Sequence, residues 1–440
     1  MTTTELSTGK SVAFITMGCA KNEVDTDHMR LAALAAGYAV QPDPEHADAV
    51  IVNTCSFIQA ATEESIDAIL EAAGYESIAS GNAFLIVAGC MPARYGDDLA
   101  GELPEVASFV PCADEDNIVS VLDSVFGFER VDYSPILVSA VRDGDAPLSA
   151  YVKISDGCDR FCAYCTIPYI RGRYHSFEYD AIEAEVASLV ENGTREIVLI
   201  AQDTGRWGQD FEEPKSLAWL VSALCERFAE TWFRVMYIQP EGMTDELIEA
   251  VRDHANACNY FDIPFQHCNP DILHSMNRRG DGDEFLKLAA HVRDAIPDVT
   301  LRTTLIAGYP GESDDQFEEL CEFVEELDFD YVGVFAYSRE EGTKAYKLPG
   351  QIDEDEKLFR AQRIRDIADG VSTSKVAERI GATMQVLVCG YEEDGQLYGR
   401  AACQAPDVDG VTYVDSGEVG AIIDVVIDDT LLYEMEGTRI

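Results

Sequence analysis

The sequence predicts an α/β protein in three parts: an N-terminal doubly wound parallel sheet, a central partial (β/α)6 barrel and a small C-terminal β-barrel. Three observations predict this. At 440 residues the chain is too long for one ordinary core. Apolar runs alternate with helical patterns over two long stretches, which is typical of parallel sheets covered by helices. Short strands separated by glycines and aspartates fill the end of the chain, which favours a small barrel.

The first part, 1–125, contains three strand patterns, "SVAFITMG", "DAVIVNT" and "AFLIVAG", each followed by a helical pattern. A cysteine comes directly after each strand: Cys19, Cys55 and Cys90. In open parallel sheets, ligands bind beyond the carboxyl ends of the strands, so three such thiols can meet and hold three irons of a cluster. The alternative is three buried structural cysteines, but their repeated placement favours metal ligands.

A connector with turn residues is expected at 126–147, before the second part, 148–375. The second part has six strand–helix patterns, two short of a complete eightfold barrel, so we expect a partial, open barrel. Its strands are expected near 151–155, 195–201, 233–239, 259–264, 299–306 and 330–337. Its helices are expected near 179–191, 215–229, 244–255, 270–296 and 313–327.

The most informative motif is C-x3-C-x2-C, formed by Cys158, Cys162 and Cys165 in "KISDGCDRFCAYCTIPYIRGR". Three thiolates hold three irons of a 4Fe–4S cubane and leave the fourth iron open. S-adenosylmethionine (SAM) can chelate an open iron, and one electron from the cluster then cleaves it. The loop follows the first barrel strand, at the end where such barrels carry their active sites.

Two simpler interpretations of this motif are a zinc site and an electron-transfer cluster. Zinc sites usually add a second cysteine pair, and ferredoxin-type clusters need a fourth ligand; the local sequence supplies neither. Radical chemistry is therefore favoured, and the aromatic Tyr164 before the third cysteine supports it.

Weaker candidates for contact with SAM or substrate lie along the later barrel strands and loops: Gln202, Asp203, Gln266, Arg302 and Gly308. Gln202 and Asp203 end the second strand and are expected to point into the barrel mouth; a structural hydrogen bond is the alternative. Gly308, in "AGYPGES", lets backbone approach a ligand closely, and a plain strand-to-helix turn explains it equally well. No further catalytic residue is assigned.

Charge argues against nucleic acid as the direct partner. The chain has 81 acidic and 32 basic residues, a formal net charge of −49, whereas nucleic-acid binders usually show the reverse. Within 381–440, twelve acids stand against two bases, Arg400 and Arg439. We therefore expect no strong nucleic-acid binding by the terminal barrel, and a basic protein as partner. An acidic proteome would explain the same composition.

The sequence also predicts the compartment. It has no run of eighteen apolar residues, so no membrane span is expected. No apolar signal region precedes the first strand, which predicts that the chain is not secreted. Thirteen cysteines then indicate a reducing compartment, the cytoplasm.

Nearly the whole chain resembles the radical-SAM methylthiotransferases. The matching stretches are "TMGCAKNEVDT", "NTCSFI", "AGCMPARY", "SDGCDRFCAYCTIPYIRGR" and "TTLIAGYPGES". The resemblance implies an auxiliary-cluster domain (1–125), a radical-SAM partial barrel (148–375) and a TRAM β-barrel (376–440). It implies two 4Fe–4S clusters and SAM as cofactors. The ligands it implies are Cys158, Cys162 and Cys165 for the SAM-cleaving cluster, and Cys19, Cys55 and Cys90 for the auxiliary cluster.

Within that family the chain is most similar to the RimO-type branch, in "LIAQDTGRWG", "FAYSREEGTKAY" and "APDVDGVTYV". This implies that one SAM gives a methyl group to sulfur, and that another yields a radical that takes hydrogen from the β-carbon of an aspartate. That aspartate belongs to the basic ribosomal small-subunit protein twelve. An electron donor such as flavodoxin or ferredoxin is implied as well.

The tRNA-modifying branch is the alternative with the same chemistry. Its second strand typically ends in Gly-Gln-Asn, where this chain has Ala201, Gln202 and Asp203. One position departs from the family: Phe177 follows Ser176 where arginine is usual, with Arg171 and Arg173 nearby to supply positive charge. Two other classes are an electron carrier or sulfur-delivery scaffold, and an acidic ribosome-assembly binder with structural clusters.

Overall fold

The computed structural model describes residues 8–96, 98–129 and 146–440, and the chain divides into two compact units. The first unit holds the described part of Met1–Gly144 with Asp156–Asp159 and Cys165–His175. The second holds the described part of Asp145–Ser155 with Arg160–Tyr164 and Ser176–Ile440. Most of the predicted connector 126–147 lies outside the described residues. None of the described helices is long and apolar enough to span a membrane.

The first unit is built on five parallel strands: β1 (Ser11–Thr16), β2 (Ala39–Val40), β3 (Ala49–Thr54), β4 (Phe84–Gly89) and β5 (Val106–Pro111). Their order is β2-β1-β3-β4-β5. Every residue of β3 is buried, because neighbouring positions alternate between two apolar clusters: Ile51 belongs to one, Val50 and Val52 to the other. Both faces are thus covered, which confirms the doubly wound sheet.

The described residues of the first unit form seven α-helices. They are α1 (Ala20–Ala35), α2 (Gln59–Ala73), α3 (Glu76–Ala79), α4 (Cys90–Tyr95), α5 (Asp98–Glu102), α6 (Ile118–Phe126) and α7 (Ile167–Ile170). Two two-residue strands, β7 (Ser155–Asp156) and β8 (His175–Ser176), pair with each other on either side of the second cysteine motif.

The second unit contains a six-stranded parallel sheet, which confirms the partial barrel. Its strands are β6 (Ser149–Lys153), β9 (Glu196–Ile200), β10 (Trp232–Val235), β11 (Ala257–Asp262), β12 (Thr300–Ala307) and β13 (Tyr331–Ala336). Their order, β13-β12-β11-β10-β9-β6, follows the chain, as successive βα units require. The helices are α8 (Tyr179–Glu191), α9 (Leu217–Arg227), α10 (Asp245–Asp253), α11 (Pro270–Ser275), α12 (Gly282–Ala295) and α13 (Asp314–Leu327).

The single helical pattern expected over 270–296 is wrong, because this stretch forms two helices, α11 and α12. The backbone between them takes the left-handed conformation twice, with φ of 60° at Asn277 and 101° at Gly280. A residue in that conformation ends an α-helix. The second helix then starts afresh at Asp281, whose carboxylate accepts from the Glu284 N–H at 2.9 Å.

A closed five-stranded barrel ends the chain and confirms the predicted terminal fold. Helix α14 (Glu354–Ala377) leads into it. The strands are β14 (Thr383–Tyr391), β15 (Leu397–Ala401), β16 (Thr412–Val414), β17 (Ile422–Leu431) and β18 (Glu434–Arg439), in the order β14-β15-β16-β18-β17. The predicted domain boundaries stay predictions.

A buried ionic cluster ties the terminal barrel to the six-stranded sheet. The Glu196 carboxylate on β9 accepts from Arg234 at 2.9 Å and from Arg400 on β15 at 2.7 Å. Arg234 also donates to the Ala402 carbonyl at 2.9 Å. Burial alone would raise the pKa of Glu196, but the two guanidinium groups outweigh it and lower the pKa to about 2. The cluster therefore holds a carboxylate that stays ionised although it is fully buried.

Candidate functional site

The three N-terminal cysteines lie at one edge of the first unit's sheet, as the strand pattern predicts. Cys19 follows β1, Cys55 follows β3 and Cys90 begins α4 directly after β4. The Oδ1 atom of Asn22 lies 3.9 Å from the Cys19 Sγ and 3.8 Å from the Cys90 Sγ. A Cβ placed on Gly18 would come within 3.0 Å of the Cys55 Sγ. All three thiols thus surround the Gly18–Asn22 turn.

Glycine is required where this turn approaches the thiols. Gly18 has φ of 99°, and a Cβ there would stand 2.4 Å from the Cys55 Cβ. A side chain at this position would be strained and would also displace Cys55. The loop after β1 can therefore pass close to the loop after β3 only with glycine at this position.

A buried arginine completes the surroundings of these thiols. Arg171, whose side chain is 2% exposed, donates to Asn22 Oδ1 at 2.9 Å and to Asp25 at 2.8 Å. Its other amino group donates to Asp156 at 3.1 Å. Its Nη2 also lies 3.9 Å from the Cys90 Sγ. Burial would lower the pKa of Arg171, but Asp25 and Asp156 outweigh it and raise the pKa further, so this residue holds a permanent cation beside the thiols.

The thiols differ in how readily they ionise. Burial raises the pKa of Cys55 to about 12. A hydrogen bond from the Cys112 thiol, together with the Arg171 cation, lowers the pKa of Cys90 to about 7. Metals bind the thiolate form, so of these two thiols Cys90 is the better prepared to bind a metal.

This donor set fits a cluster better than a single ion. Among the described residues, no three His, Cys, Asp or Glu side chains stand close enough together to hold one metal ion. Each terminal cysteine of a cubane binds a different iron, so its ligands stand further apart than those of a single ion. Three thiols spread around one polar turn, with a cation beside them, suit that arrangement.

Sequence analysis missed Asn22 and Asp25, noted Arg171 only as a nearby positive charge, and favoured a packed or exposed thiol over a ligand for Cys112. The signal for the first two was present: they follow Cys19 by three and six residues in "TMGCAKNEVDT". On a helix that begins there, residues three apart share a face. Cys112 also had a signal, because it follows β5 as the other cysteines follow their strands.

Within the first unit, the backbone of the second motif is fixed around Cys158. This cysteine is buried, and its N–H donates to the Gly172 carbonyl at 3.2 Å. Gly157 has φ of 73°, and a Cβ there would stand 2.2 Å from the Arg173 carbonyl oxygen. The segment before the cysteine thus requires glycine to pack against the segment at 172–173.

Within the second unit, the motif residues Cys162 to Tyr164 are held by later loops. The Ala163 N–H donates to the Met276 carbonyl at 2.8 Å, and its own carbonyl accepts from the Ala345 N–H at 2.7 Å. The Arg278 guanidinium lies 4.0 Å from the Cys162 Sγ. Tyr164 packs against an apolar cluster that includes Ala163 and Met276. The loops around 276–278 and 345 therefore fix the backbone of the motif at Ala163 and place a cation beside Cys162.

A polar cavity of about 270 Å³ lies beyond β9 and β10 in the second unit. Arg160 lines it, donates to Asp203 at 2.6 Å and pairs with Glu241 at 3.3 Å. Burial raises the pKa of Asp203. The Oε1 of the neighbouring Gln202 is buried without a hydrogen-bond partner among the described residues. Charged side chains thus line the cavity, and one of the two sequence candidates, Asp203, bonds to the lining residue Arg160.

The other three candidates have structural partners. Gln266 has φ of 72° and bonds through its backbone to residues of β12. Arg302, near the start of β12, donates to Asp262 at 3.0 Å and lies 3.6 Å from Asp409. The Gly308 N–H donates to Glu312, and a Cβ there would stand 2.4 Å from the Lys357 side chain. Their roles toward SAM stay predictions.

The side chain of Phe177, at the position where the resemblance implies a basic residue, packs against the main core of the second unit. Its N–H donates to the Ile154 carbonyl at 2.9 Å, and its carbonyl accepts from the Trp207 indole at 3.0 Å. Position 177 therefore serves packing in this chain, while Arg171 brings a cation to the thiols of the first unit.

Three sequence families match successive parts of the chain. The uncharacterised protein family UPF0004 matches residues 11–111, the Radical SAM superfamily matches 152–324 and the TRAM domain matches 380–440. Solved structures show the fold at low identity. The radical SAM methyltransferase TsrM from Kitasatospora setae matches with a TM-score of 0.55 and 14% identity, over 75% of this chain and 76% of that one. The cobalamin-dependent SAM radical enzyme OxsB matches with a TM-score of 0.52 and 11% identity, over 81% and 56%.

Similar proteins of nearly the same length share one name, ribosomal protein uS12 methylthiotransferase RimO. The one from Trichlorobacter lovleyi is 41% identical over 97% of both chains. Those from Geobacter sulfurreducens and Clostridioides difficile are 40% and 39% identical, over 97% of this chain and 98% of theirs. Identity of this degree over the whole length establishes the family, so this chain belongs to the RimO methylthiotransferases of the radical SAM superfamily.

Proposed function

We propose that this chain methylthiolates the β-carbon of an aspartate in ribosomal protein uS12. One observation carries the proposal: Cys19, Cys55 and Cys90 surround the same turn at the edge of the first unit's sheet. A radical-SAM motif alone serves many reactions. Insertion of sulfur needs a second place where sulfur is handled, and this thiol site is suited to it.

The cofactors we propose are SAM and two 4Fe–4S clusters. Cys158, Cys162 and Cys165 are the proposed ligands of the SAM-cleaving cluster, and Cys19, Cys55 and Cys90 those of the auxiliary cluster. A bound radical-SAM cluster supplies the electron that splits SAM, and the resulting carbon radical can break a β-carbon C–H bond. Arg278 places a cation beside Cys162, and Arg171 beside Cys90 favours the thiolate that a metal requires.

The surface charge of the terminal barrel supports a basic protein as substrate. Within 381–440, its exposed acids are Glu392, Glu393, Asp394, Asp407, Asp415, Glu418, Asp424, Asp428, Asp429 and Glu436. Of the two bases in the same range, only Arg439 is exposed, since Arg400 is buried against Glu196. Ten exposed acids against one base repel phosphate and attract a cationic protein over long range. We therefore propose that this barrel meets the ribosomal protein and not RNA.

We further propose an electron donor such as flavodoxin or ferredoxin, and action in the cytoplasm. We also propose that the chain functions as three domains, 1–125, 148–375 and 376–440. The acidic terminal barrel does not support the tRNA-modifying alternative, although the chemistry would be the same.

The test is anaerobic reconstitution of the full chain with iron and sulfide, followed by reaction with SAM, dithionite and either uS12 or bulk tRNA. Mass analysis of uS12 peptides should show the addition of one methylthio group at a single aspartate. The matched control is the Cys19→Ala, Cys55→Ala, Cys90→Ala triple variant, which should still produce 5′-deoxyadenosine but leave uS12 unmodified. Methylthiolation of tRNA nucleosides, with uS12 untouched, would refute the proposed substrate.

A further inference from the structure

A fourth cysteine lies at the same edge of the sheet as the three proposed ligands. Cys112 follows β5 directly, and Cys90 follows β4 directly. The last residues of these strands, Gly89 and Pro111, are register partners. The two cysteines therefore leave the sheet side by side, and their Sγ atoms are 3.9 Å apart.

This distance has a specific meaning for metal binding. Two thiolates on one tetrahedral metal ion, each with a metal–sulfur bond of about 2.3 Å, stand about 3.8 Å apart. A disulfide would need about 2.05 Å. The hydrogen bond from Cys112 to Cys90 holds the two sulfurs at 3.9 Å, which is close enough for either thiolate to reach the same metal atom.

The neighbours of the other two proposed ligands differ. The polar group near the Cys19 thiol is the Asn22 amide oxygen, at 3.9 Å. Cys55 is fixed through its backbone, whose N–H donates to the Ser65 hydroxyl at 3.0 Å. Amide and hydroxyl oxygens are weak ligands for iron in a sulfide cluster, where thiolates are the usual donors. Cys90, by contrast, has a second thiol in contact with it.

Cys90 and Cys112 also differ in exposure. Cys90 is buried, with 3% of its surface exposed, whereas Cys112 is half-buried. Each iron of a cubane has one terminal position for a cysteine, so the two thiols are alternatives for it. Whichever is displaced remains next to the cluster.

We propose that Cys112 is a fourth thiolate ligand of this site and exchanges with Cys90 at one iron. The proposal rests on the proposed auxiliary-cluster assignment of Cys19, Cys55 and Cys90. No bond other than iron–sulfur is made or broken in the exchange, and no oxidation is involved.

The test uses the full chain with Cys158, Cys162 and Cys165 changed to alanine, so that only the first site can hold a cluster. This parent is reconstituted anaerobically with iron(II) and sulfide, and compared with its Cys55→Ala, Cys90→Ala and Cys90→Ala/Cys112→Ala derivatives. Iron and sulfide per chain are measured, with the EPR spectrum after reduction by dithionite. Cys90→Ala should retain more than half of the parent's iron, with shifted g values in its EPR spectrum. Cys55→Ala and the double variant should each hold at least fivefold less iron than the parent.

Thiol alkylation supplies a second measurement that does not depend on retention alone. In the loaded parent, iodoacetamide should label Cys112 and spare Cys90. In loaded Cys90→Ala, the labelling of Cys112 should be at least fivefold lower than in the loaded parent. Equal iron loss in Cys90→Ala and Cys55→Ala would overturn the role of Cys112 and leave the three-ligand assignment standing. Full iron retention in Cys55→Ala would instead overturn the assignment of the three ligands, and this proposal with it.

Discussion

The substitution Glu196→Gln should destabilise the second unit by about 3 kcal/mol at pH 7. It keeps the shape of the side chain but removes the charge that faces Arg234 and Arg400. The pKa of Glu196 falls from an ordinary 4.5 to about 2, a difference that corresponds to roughly 3 kcal/mol of stability. Breaking a buried ion pair by removing one partner costs about 3–5 kcal/mol, so two independent arguments give the same magnitude.

The assay is urea unfolding followed by tryptophan fluorescence. All three tryptophans, Trp207, Trp219 and Trp232, lie in the second unit, so the signal reports on that unit alone. The control is Glu183→Gln, which removes the same charge from a pair with Arg227 whose side chain is 60% exposed. An exposed pair contributes about 0–1 kcal/mol, so this control should unfold close to the wild type.

The pH dependence gives a second check on Glu196. A lowered pKa means that the stabilisation is fully present above pH 4.5 and is lost as the pH falls from 4.5 toward 2. The difference between wild type and Glu196→Gln should therefore shrink by about half or more at pH 3. A difference below about 1 kcal/mol at pH 7, or one that does not change with pH, would refute the argument that the carboxylate is ionised and stabilising.

Three further predictions concern the thiol site and the terminal barrel. In a colorimetric assay, Gly18→Ala should lower the iron content of the reconstituted chain from about eight to about four atoms per molecule, because its Cβ would meet Cys55. The control is Gly9→Ala, which also has a positive φ but open space around it, and it should keep all the iron. The Cys19, Cys55, Cys90 triple alanine variant should match the wild-type rate of 5′-deoxyadenosine release by liquid chromatography while forming no methylthio product, and loss of SAM cleavage would argue against separate roles for the two sites. Burial raises the pKa of Asp409 to about 6, so the protonated carboxyl stabilises the fold below pH 3.8, and this stabilisation is lost as the pH rises through 6. Between pH 4 and pH 7, Asp409→Asn should therefore gain about 2 kcal/mol relative to the wild type, and a constant difference in urea midpoint would contradict this.

Much of the fold was predictable from local pattern. Alternating apolar and amphipathic segments predicted both parallel sheets, because each strand and helix must bury a face that its own sequence defines. The single pattern over 270–296 failed for a local reason that periodicity does not detect: the backbone at Asn277 and Gly280 turns left-handed. The cysteine spacing gave the candidate ligands, since ligand type and order are properties of the sequence itself.

Contacts between distant segments were not predictable in this way. Arg171 meets Asn22 and Asp25 across almost 150 positions of sequence, and no local pattern records such a pairing. Arg302 stays a candidate for SAM, and no local pattern records that it lies between Asp262 and Asp409. A side chain's partners depend on which loops the sheet brings together, and the side chain alone does not define them.

The sequence by itself determined the chemistry available to this protein: six cysteines at strand ends and in one short motif, an acidic terminal segment, and the order of strands and helices. Only the tertiary structure decided that Cys90 has Cys112 beside it, that Arg171 is the cation among the N-terminal thiols, and that Glu196 joins the central sheet to the terminal barrel. The physical reason is that residue types and hydrophobic periodicity are properties of short sequence segments. The distances between thiols and charges are set only when the folded strands bring their carboxyl ends together.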